Sequence, residues 1–333
     1  MRTLIVLAAL LAQSAAAAPA YKIVDRIPGP DGGWDYVRVD PENNHVLVAR
    51  GSSVMAVDLE TRAVTPGLAA GARLHDALPV NGELLVTNGG SATAVFADAK
   101  TGVTLATVPT GKGPDAAAFD AQSGLVLVMD HAGGQVTLVD PKAHAVVGTI
   151  DVGGAMEAAA VKDGRAYVNV EDRNEIAVLD IAGRKVVDRW ALPGCDAPTG
   201  IALIAGGRRL IAACDGSSVI VDIASGKVIQ SLPTGRGADG VAYDDERNLA
   251  FVPAGRDGTL AIIDLAGKAA RIAQTLPTQV SARTIARDPR TGRLYLPAAS
   301  FGPPTTPGGR PSPVPGTFVV MIVDATTPAS RRR

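Results

Sequence analysis

The sequence of 333 residues predicts an all-β protein, and more narrowly a seven-bladed β-propeller with four antiparallel strands in each blade. Three observations predict this fold. An apolar strand that ends in aspartate and runs into a tight turn occurs seven times. Short apolar runs, separated by turn residues, fill the intervals between these aspartates. The segment after the N-terminal leader has the pattern of one further strand without a repeat of its own.

The repeat is regular in length. Its aspartates follow one another at intervals of 40, 42, 40, 42, 42 and 60 residues, at Asp58, Asp98, Asp140, Asp180, Asp222, Asp264 and Asp324. A unit of about 40 residues has the length of one propeller blade. The last interval is longer because blade seven carries an insertion rich in proline and glycine, FGPPTTPGGRPSPVPG at 301–316.

Within each unit, apolar runs rich in Val, Ile and Ala alternate with Gly, Asn and Asp turns. These runs indicate strands, since helices would need about ten or more periodic residues and capping signals. In the third unit the predicted strands a to d are AAAFD, LVLVMD, QVTLVD and VVGTIDV, within residues 116–152.

Both ends of the chain are predicted to belong to one blade. The seventh unit ends soon after TFVVMIVD (317–324), which leaves only a short tail for an outer strand. The segment YKIVDRIPG (21–29) has the pattern of an outer strand, and we expect it to complete blade seven. Closing the ring in this way covers the sheet edges that an open array would expose. The predicted domain spans 21–328, and 329–333 form a basic tail.

Residues 1–20 have the pattern of a signal peptide. The basic start MRT precedes nine apolar residues, LIVLAALLA, and the small residues of QSAAAAPA provide a cleavage site before Tyr21. Nine apolar residues are too few to span a bilayer, and no later run approaches the roughly 20 that a membrane helix needs. We expect a soluble, monomeric protein of the periplasm, or a secreted one.

Two motifs flank the strands: Gly-x-x-Pro-x before strand a, as in GKGPD (111–115), and Val-Asp-x-x-Thr/Ser-Gly-Lys after strand c, as in VDIASGK (221–227). These units resemble YVTN-type propeller repeats, and nearly the whole mature chain is similar to the YncE-like family of exported seven-bladed propellers. The resemblance implies the same fold. It implies little about function, because propellers of this kind host binding, scaffolding and several unrelated chemistries.

The composition argues against two classes of partner. The formal net charge is −1, and Lys and Arg are scattered rather than clustered, so no basic patch attracts nucleic acid or an anionic membrane. Aromatic residues make up 4% of the chain, too few for platforms on which bases stack. The expected partner is a small molecule or a periplasmic protein.

Alignment of the units at the start of strand a gives one residue for each blade, namely Asp35, Asp76, Asp115, Glu157, Thr199, Asp239 and Arg283. The alignment is supported five residues later, where the turn after strand a contains Asp40, Asn81, Asp120, Asp244 and Asp288. In a propeller the starts of strand a and the loops from strand b to strand c lie on the same face. The seven aligned residues therefore surround one mouth of the central channel. The five carboxylates either accept N–H bonds within their own loops, or together attract a cation, a water cluster or a basic ligand.

Three further side chains are predicted on this face: His75 before Asp76, His131 in a loop from strand b to c, and Trp34 before Asp35. A histidine beside carboxylates is a candidate metal ligand or general base, and a solvated loop histidine is the alternative. Trp34 is either a ligand contact or a packing residue. The candidate ligand-binding residues are Trp34, Asp35, His75, Asp76, Asp115, His131, Glu157, Asp239 and Arg283. The candidate ligands of a divalent metal are Asp76, Asp115, Glu157 and His131.

The leading functional prediction is a binding or scaffold protein that presents this face to a ligand or partner. The alternative is an enzyme of the lyase, lactonase or oxidoreductase type, with a divalent metal as its candidate cofactor. The insertion 301–316 follows strand b of blade seven and is therefore expected over the same face. It is either a semi-rigid flap or an exposed excursion.

The two cysteines are candidates for a disulfide. Cys195 precedes strand a of blade five and Cys214 ends strand b. If GIALIA and RRLIAAC form a hairpin, Cys214 returns to the level of Thr199, near Cys195. Export to an oxidising compartment favours the bond, and two buried thiols are the alternative.

Overall fold

The computed structural model describes residues 18–304 and 311–326. Within them the regular structure consists of 27 strands and two single-turn 3-10 helices, Glu171–Arg173 and Ala205–Gly207. No helix in this part of the chain is long and apolar enough to cross a membrane. Most of the predicted signal peptide, residues 305–310 of the insertion and the basic tail lie outside the described residues.

The first strand of the described residues is β1 (Tyr21–Pro28), and the next seven strands form one sheet in sequence order. They are β2 (Val37–Asp40), β3 (His45–Ala49), β4 (Gly51–Asp58), β5 (Val64–Val80), β6 (Glu83–Asn88), β7 (Thr93–Asp98) and β8 (Thr104–Pro109). The long strand β5 pairs with β4 through its first part and with β6 through its last part. One continuous strand therefore serves two four-stranded units.

Four separate sheets of four antiparallel strands follow. The first two are β9 (Pro114–Asp120), β10 (Leu125–Asp130), β11 (Gln135–Asp140) and β12 (Ala145–Asp151), then β13 (Met156–Lys162), β14 (Arg165–Val170), β15 (Glu175–Asp180) and β16 (Lys185–Ala191). The other two are β17 (Ile201–Ile204), β18 (Arg209–Ala213), β19 (Gly216–Asp222) and β20 (Lys227–Gly235), then β21 (Ala242–Asp244), β22 (Leu249–Ala254), β23 (Thr259–Asp264) and β24 (Arg271–Pro277). Strands β9 to β12 confirm the four strands predicted for the third unit.

The last sheet combines the two ends of the described chain. It contains β25 (Ala286–Arg287), β26 (Leu294–Ala298), β27 (Val319–Ala325) and, as its fourth strand, β1. β1 runs antiparallel to β27, from Tyr21 opposite Ala325 to Pro28 opposite Val319.

The core lies between the sheets. Seven clusters of buried apolar residues occur in the described chain, each shared by two neighbouring sheets or by the two halves of the long sheet. One of them packs Leu127 and Met129 of β10 against Val168 and Val170 of β14. Because the inner strands are covered on both faces, their sequences are continuous apolar runs rather than alternating ones.

The predicted hairpin and disulfide are present. β17 pairs with β18, and Cys195 and Cys214 form a disulfide with 5.2 Å between their Cα atoms. Both cysteines are buried, and their sequence separation is 19 residues. Closing a loop of this length contributes about 3 kcal/mol in the chain-entropy model.

A buried carboxylate at the end of β21 makes the stability depend on pH. Asp244 accepts hydrogen bonds from the backbone N–H of Arg247 (3.1 Å) and from its guanidinium (2.7 Å), and its Oδ1 lies 3.1 Å from Nη2 of Arg287. Burial by itself raises the pKa of Asp244, but the hydrogen bonds from Arg247 and the charge of Arg287 hold this pKa below its usual value.

The depressed pKa of Asp244 leads to a prediction about acid stability. The contribution of the ionised carboxylate is present above the unfolded-state pKa of about 4 and is lost as the pH falls through the lower folded-state pKa. We expect Asp244→Asn to lower the melting temperature at pH 7, and the difference from the wild type to narrow as the pH falls below about 4. Asp245→Asn, at the exposed neighbouring position, is the control and should match the wild type throughout. An Asp244→Asn difference that stays constant with pH would contradict this explanation.

Candidate functional site

The ladder registers show which residues are equivalent at the start of strand a. In four units the equivalent pairs are Val37–Val48, Ala77–Val86, Ala117–Val128 and Ala159–Val168. The residues two places before the first member of each pair are Asp35, His75, Asp115 and Glu157. The structural equivalent of these carboxylates in β5 is therefore His75, and the alignment that placed Asp76 there is one residue off.

The alignment is one residue off in the second unit because the turn between β5 and β6 is shorter than the turn in the first unit. β5 and β6 are joined by only Asn81 and Gly82, with Val80 opposite Glu83. In the first unit Asp40 lies opposite His45, so that four residues form the turn. Matching Asn81 to Asp40 therefore displaced the second unit by one residue, and such a shift moves every side chain to the other face of the strand.

Asp76, which was predicted as a metal ligand, makes structural contacts and does not lie in a group of possible ligand atoms. It is fully buried, and its carboxylate accepts hydrogen bonds from Nε of Arg38 (2.9 Å) and from the backbone N–H groups of Ala77 (2.9 Å) and Ala117 (3.0 Å). Nη2 of Arg38 donates a further bond. The structure brings the other three predicted metal ligands, Asp115, Glu157 and His131, together without Asp76.

The four equivalent side chains, and the residues aligned with them in the other three units, line one cavity of about 490 Å³. They are Asp35, His75, Asp115, Glu157, Thr199, Asp239 and Arg283. Arg73, His131 and Glu171 complete its polar wall. These residues come from separate repeats about 40 residues apart, so the cavity exists only because neighbouring sheets are packed side by side.

Two groups of possible ligand atoms lie in this cavity, and Asp115 belongs to both. Asp35, His75 and Asp115 form the first triad, and Asp115, His131 and Glu157 form the second. Nδ1 of His75 lies 2.7 Å from Oδ2 of Asp35 and 3.2 Å from Oδ1 of Asp115. Nδ1 of His131 lies 3.1 Å from Oε1 of Glu157. In each triad the ligand atoms are all within 4.8 Å of one another.

The shared carboxylate is electrostatically unfavourable in its ionised form. Oδ1 of Asp115 is buried and receives no hydrogen bond, since the hydrogen bond of His75 Nδ1 goes to Asp35. Burial, followed by the negative charges of Asp35 and Glu157, raises the pKa of Asp115 well above its usual range. A bound cation would relieve both effects.

Arg283 and Asp239 form an ion pair at the cavity wall, with 2.8 Å between Nε and Oδ2. Burial raises the pKa of Asp239 to about 8, although the charge of Arg283 opposes this shift. Nη2 of Arg283 donates to the backbone carbonyl of Trp34 at 2.7 Å. The indole of Trp34 is only 6% exposed and packs against Phe318, so the structure does not bring this ring to the cavity.

Tyr36 was not predicted from the sequence. Its hydroxyl lies 3.4 Å from Oε2 of Glu157, and its side chain and that of Arg38 line a narrow space of about 90 Å³. The sequence does contain a signal for Tyr36. The residues that follow the seven equivalent positions are small except for the first two, and they are Tyr36, Asp76, Ala116, Ala158, Gly200, Gly240 and Thr284. Small residues are needed where the strands crowd together, and a Cβ on Gly200 would lie 2.5 Å from the carbonyl carbon of Gly240.

A larger cavity of about 770 Å³ adjoins the first. The two share the wall residues Glu171, Thr199, Asp239 and Arg283. Phe301 and Pro311, which flank the part of the insertion outside the described residues, line the larger cavity. The described ends of the insertion therefore lie beside the cluster of carboxylates and histidines.

Comparisons with known proteins show the fold alone. No protein-family model matches the sequence, and no curated protein matches it. A chain of the hydrazine synthase of Kuenenia stuttgartiensis is similar in structure, with a TM-score of 0.67 and 16% identity over 81% of this chain and 92% of that one. A chain of a mitotic checkpoint complex has a TM-score of 0.74 and 13% identity over 89% and 95%. Both neighbours are β-propeller proteins, and the chain has the all-β architecture of that fold.

Proposed function

We propose that the protein is an exported, YncE-like propeller of seven blades that binds a small ligand at one mouth of its channel, through a divalent metal. Three features support the seven-bladed ring. β5 divides the long sheet into two four-stranded units, seven apolar clusters connect the units in a cycle, and β1 completes the sheet of β27. Export is supported by the leader pattern of residues 1–20 and by the disulfide between Cys195 and Cys214.

One observation carries the proposed metal site: a buried carboxylate oxygen without a hydrogen bond, on Asp115, lies between two pairs of histidine and carboxylate. A cluster of carboxylates alone would suit Ca²⁺ or Mg²⁺. Two imidazole nitrogens in addition favour Mn²⁺, Fe²⁺, Co²⁺ or Zn²⁺. The cavity of about 490 Å³ above these atoms leaves room for a ligand to reach the metal.

The proposed metal site predicts a thermal shift that depends on Asp115. Metal-free wild-type protein should melt at a higher temperature when Mn²⁺ or Zn²⁺ is added, because an ion at 100 times its dissociation constant stabilises the folded state by about 2.7 kcal/mol. Asp115→Asn removes the shared anionic ligand and should abolish the shift. Differential scanning fluorimetry, with each variant compared with its own metal-free form, measures both.

His144→Asn is the matched control. His144 also contacts a carboxylate, with 2.8 Å between its Nε2 and Oε2 of Glu83, but it does not line the cavity. Asn tolerates the positive φ of 48° at this position. The control should keep the full metal shift. No shift in the wild type with any of the four metals, or an equal shift in Asp115→Asn, would refute the proposed site.

A further inference from the structure

Two triads that share one carboxylate point to more than one ion. We propose that the cavity binds two divalent metal ions bridged by the carboxylate of Asp115. One ion is held by Asp35 and His75, and the other by His131 and Glu157. This inference rests on the proposed function above and specifies the number and arrangement of the ions.

Three of the distances within the triads are close to the edges of a coordination shell. Ligand atoms that lie 2.0–2.2 Å from one ion are separated by about 3.0 Å in an octahedron and about 3.4 Å in a tetrahedron. In the first triad Nδ1 of His75 lies 2.7 and 3.2 Å from the oxygens of Asp35 and Asp115. In the second triad Nδ1 of His131 lies 3.1 Å from Glu157. The other pairs of ligand atoms in the triads lie within 4.8 Å of one another. In the second triad Nδ1 of His131 also lies 3.1 Å from the backbone carbonyl oxygen of Met156, a contact that a bound ion would replace.

One ion does not account for all five residues. Two ligand atoms on opposite sides of a single ion are at most about 4.4 Å apart at these bond lengths. The five ligand atoms do not form one group within 4.8 Å, and they fall instead into two groups of three that have only Asp115 in common. A carboxylate has two oxygens with about four lone pairs, so Asp115 can serve two ions at once.

The charges at the cavity favour bound cations. Five carboxylates line it, on Asp35, Asp115, Glu157, Glu171 and Asp239, and two arginines, Arg73 and Arg283, oppose them. With neutral histidines and all five carboxylates ionised, the wall carries three more negative than positive charges. One dication would leave this wall with a net charge of −1 and two with a net charge of +1, so bound cations bring it close to neutrality, and crowded carboxylates are stable in their ionised form only where such charge balances them.

The number of bound ions tests the proposal. Metal-free wild-type protein is dialysed against Mn²⁺, and bound manganese is counted by inductively coupled plasma mass spectrometry. We expect two ions per chain and an electron paramagnetic resonance spectrum of a spin-coupled pair. His75→Gln and His131→Gln should each retain one ion and show the six-line spectrum of an isolated Mn²⁺, and the control His144→Asn should retain two.

The possible outcomes distinguish failure of the ion pair from failure of the proposed metal site. One ion in the wild type, lost in both glutamine variants, would overturn the pair and leave the proposed metal site standing. No bound manganese, and no bound zinc in a parallel dialysis against Zn²⁺, would overturn both. Two ions that persist in both glutamine variants would place the metal outside the triads and overturn both as well. The wild-type count and spectrum decide the question even if a variant fails to fold.

Discussion

Deletion of residues 21–28 from the mature protein is expected to lower the melting temperature by more than about 10 °C, because β1 holds both ends of the chain in one sheet. Seven residues of β1 pair with β27. Tyr21 packs edge-on against Phe251, and its backbone N–H and C=O bond to the side chain of Gln274 at 2.8 Å each. Burial of Tyr21 and Ile27 alone contributes roughly 2–3 kcal/mol per side chain, in a protein whose total stability is on the order of 5–15 kcal/mol.

Circular dichroism during heating measures this effect. Deletion of the predicted basic tail, residues 329–333, is the control and should leave the melting temperature unchanged. Without β1 the edge of β27 has no partner, and aggregation on heating is expected as well. A melting temperature that stays the same after deletion of 21–28 would contradict closure of the ring by the first strand.

Asp76→Asn is expected to lower the free energy of unfolding by about 3 kcal/mol, since it removes the fully buried charge that balances the half-buried guanidinium of Arg38. The amide can accept only through one atom, so some of the donors from Arg38, Ala77 and Ala117 lose their acceptor. Urea unfolding followed by circular dichroism measures the loss.

The control for Asp76 is an exposed ion pair. Asp25→Asn removes the partner of Arg62, and both side chains are substantially exposed, so a change below about 1 kcal/mol is expected. If folded Asp76→Asn protein is obtained, its thermal shift with Mn²⁺ should match that of the wild type. If Asp76→Asn lowers the free energy of unfolding by less than about 1 kcal/mol and also abolishes the thermal shift with Mn²⁺, Asp76 is a metal ligand. That result would contradict the register of β5.

Much of the fold could be predicted because each strand of the repeat has a recognisable pattern in the local sequence. The runs that form β10 and β11 are covered on both faces, so each is continuously apolar and bounded by turn residues. The disulfide was predictable for a similar reason, since the hairpin of β17 and β18 fixes where Cys214 lies. The long strand β5 was not predicted, because nothing in the local pattern shows that two adjacent units share one unbroken strand.

The candidate site could be predicted only in part. Asp115, Glu157 and His131 were placed together correctly from the topology, whereas the two-residue turn of Asn81 and Gly82 concealed that His75 occupies the position assigned to Asp76. Distances between side chains of different repeats depend on how the sheets pack. The shared position of Asp115 between two histidines therefore became visible only in three dimensions.

The most direct test of the metal site is anomalous diffraction from crystals of the protein grown with Mn²⁺ or Zn²⁺. A metal in the proposed site should give anomalous density within about 2.3 Å of a carboxylate oxygen of Asp115 and of Nδ1 of His75 or His131. Two peaks about 3.5–4 Å apart would correspond to the bridged pair. A cavity without anomalous density, in crystals whose protein binds the metal elsewhere, would refute the proposed metal site.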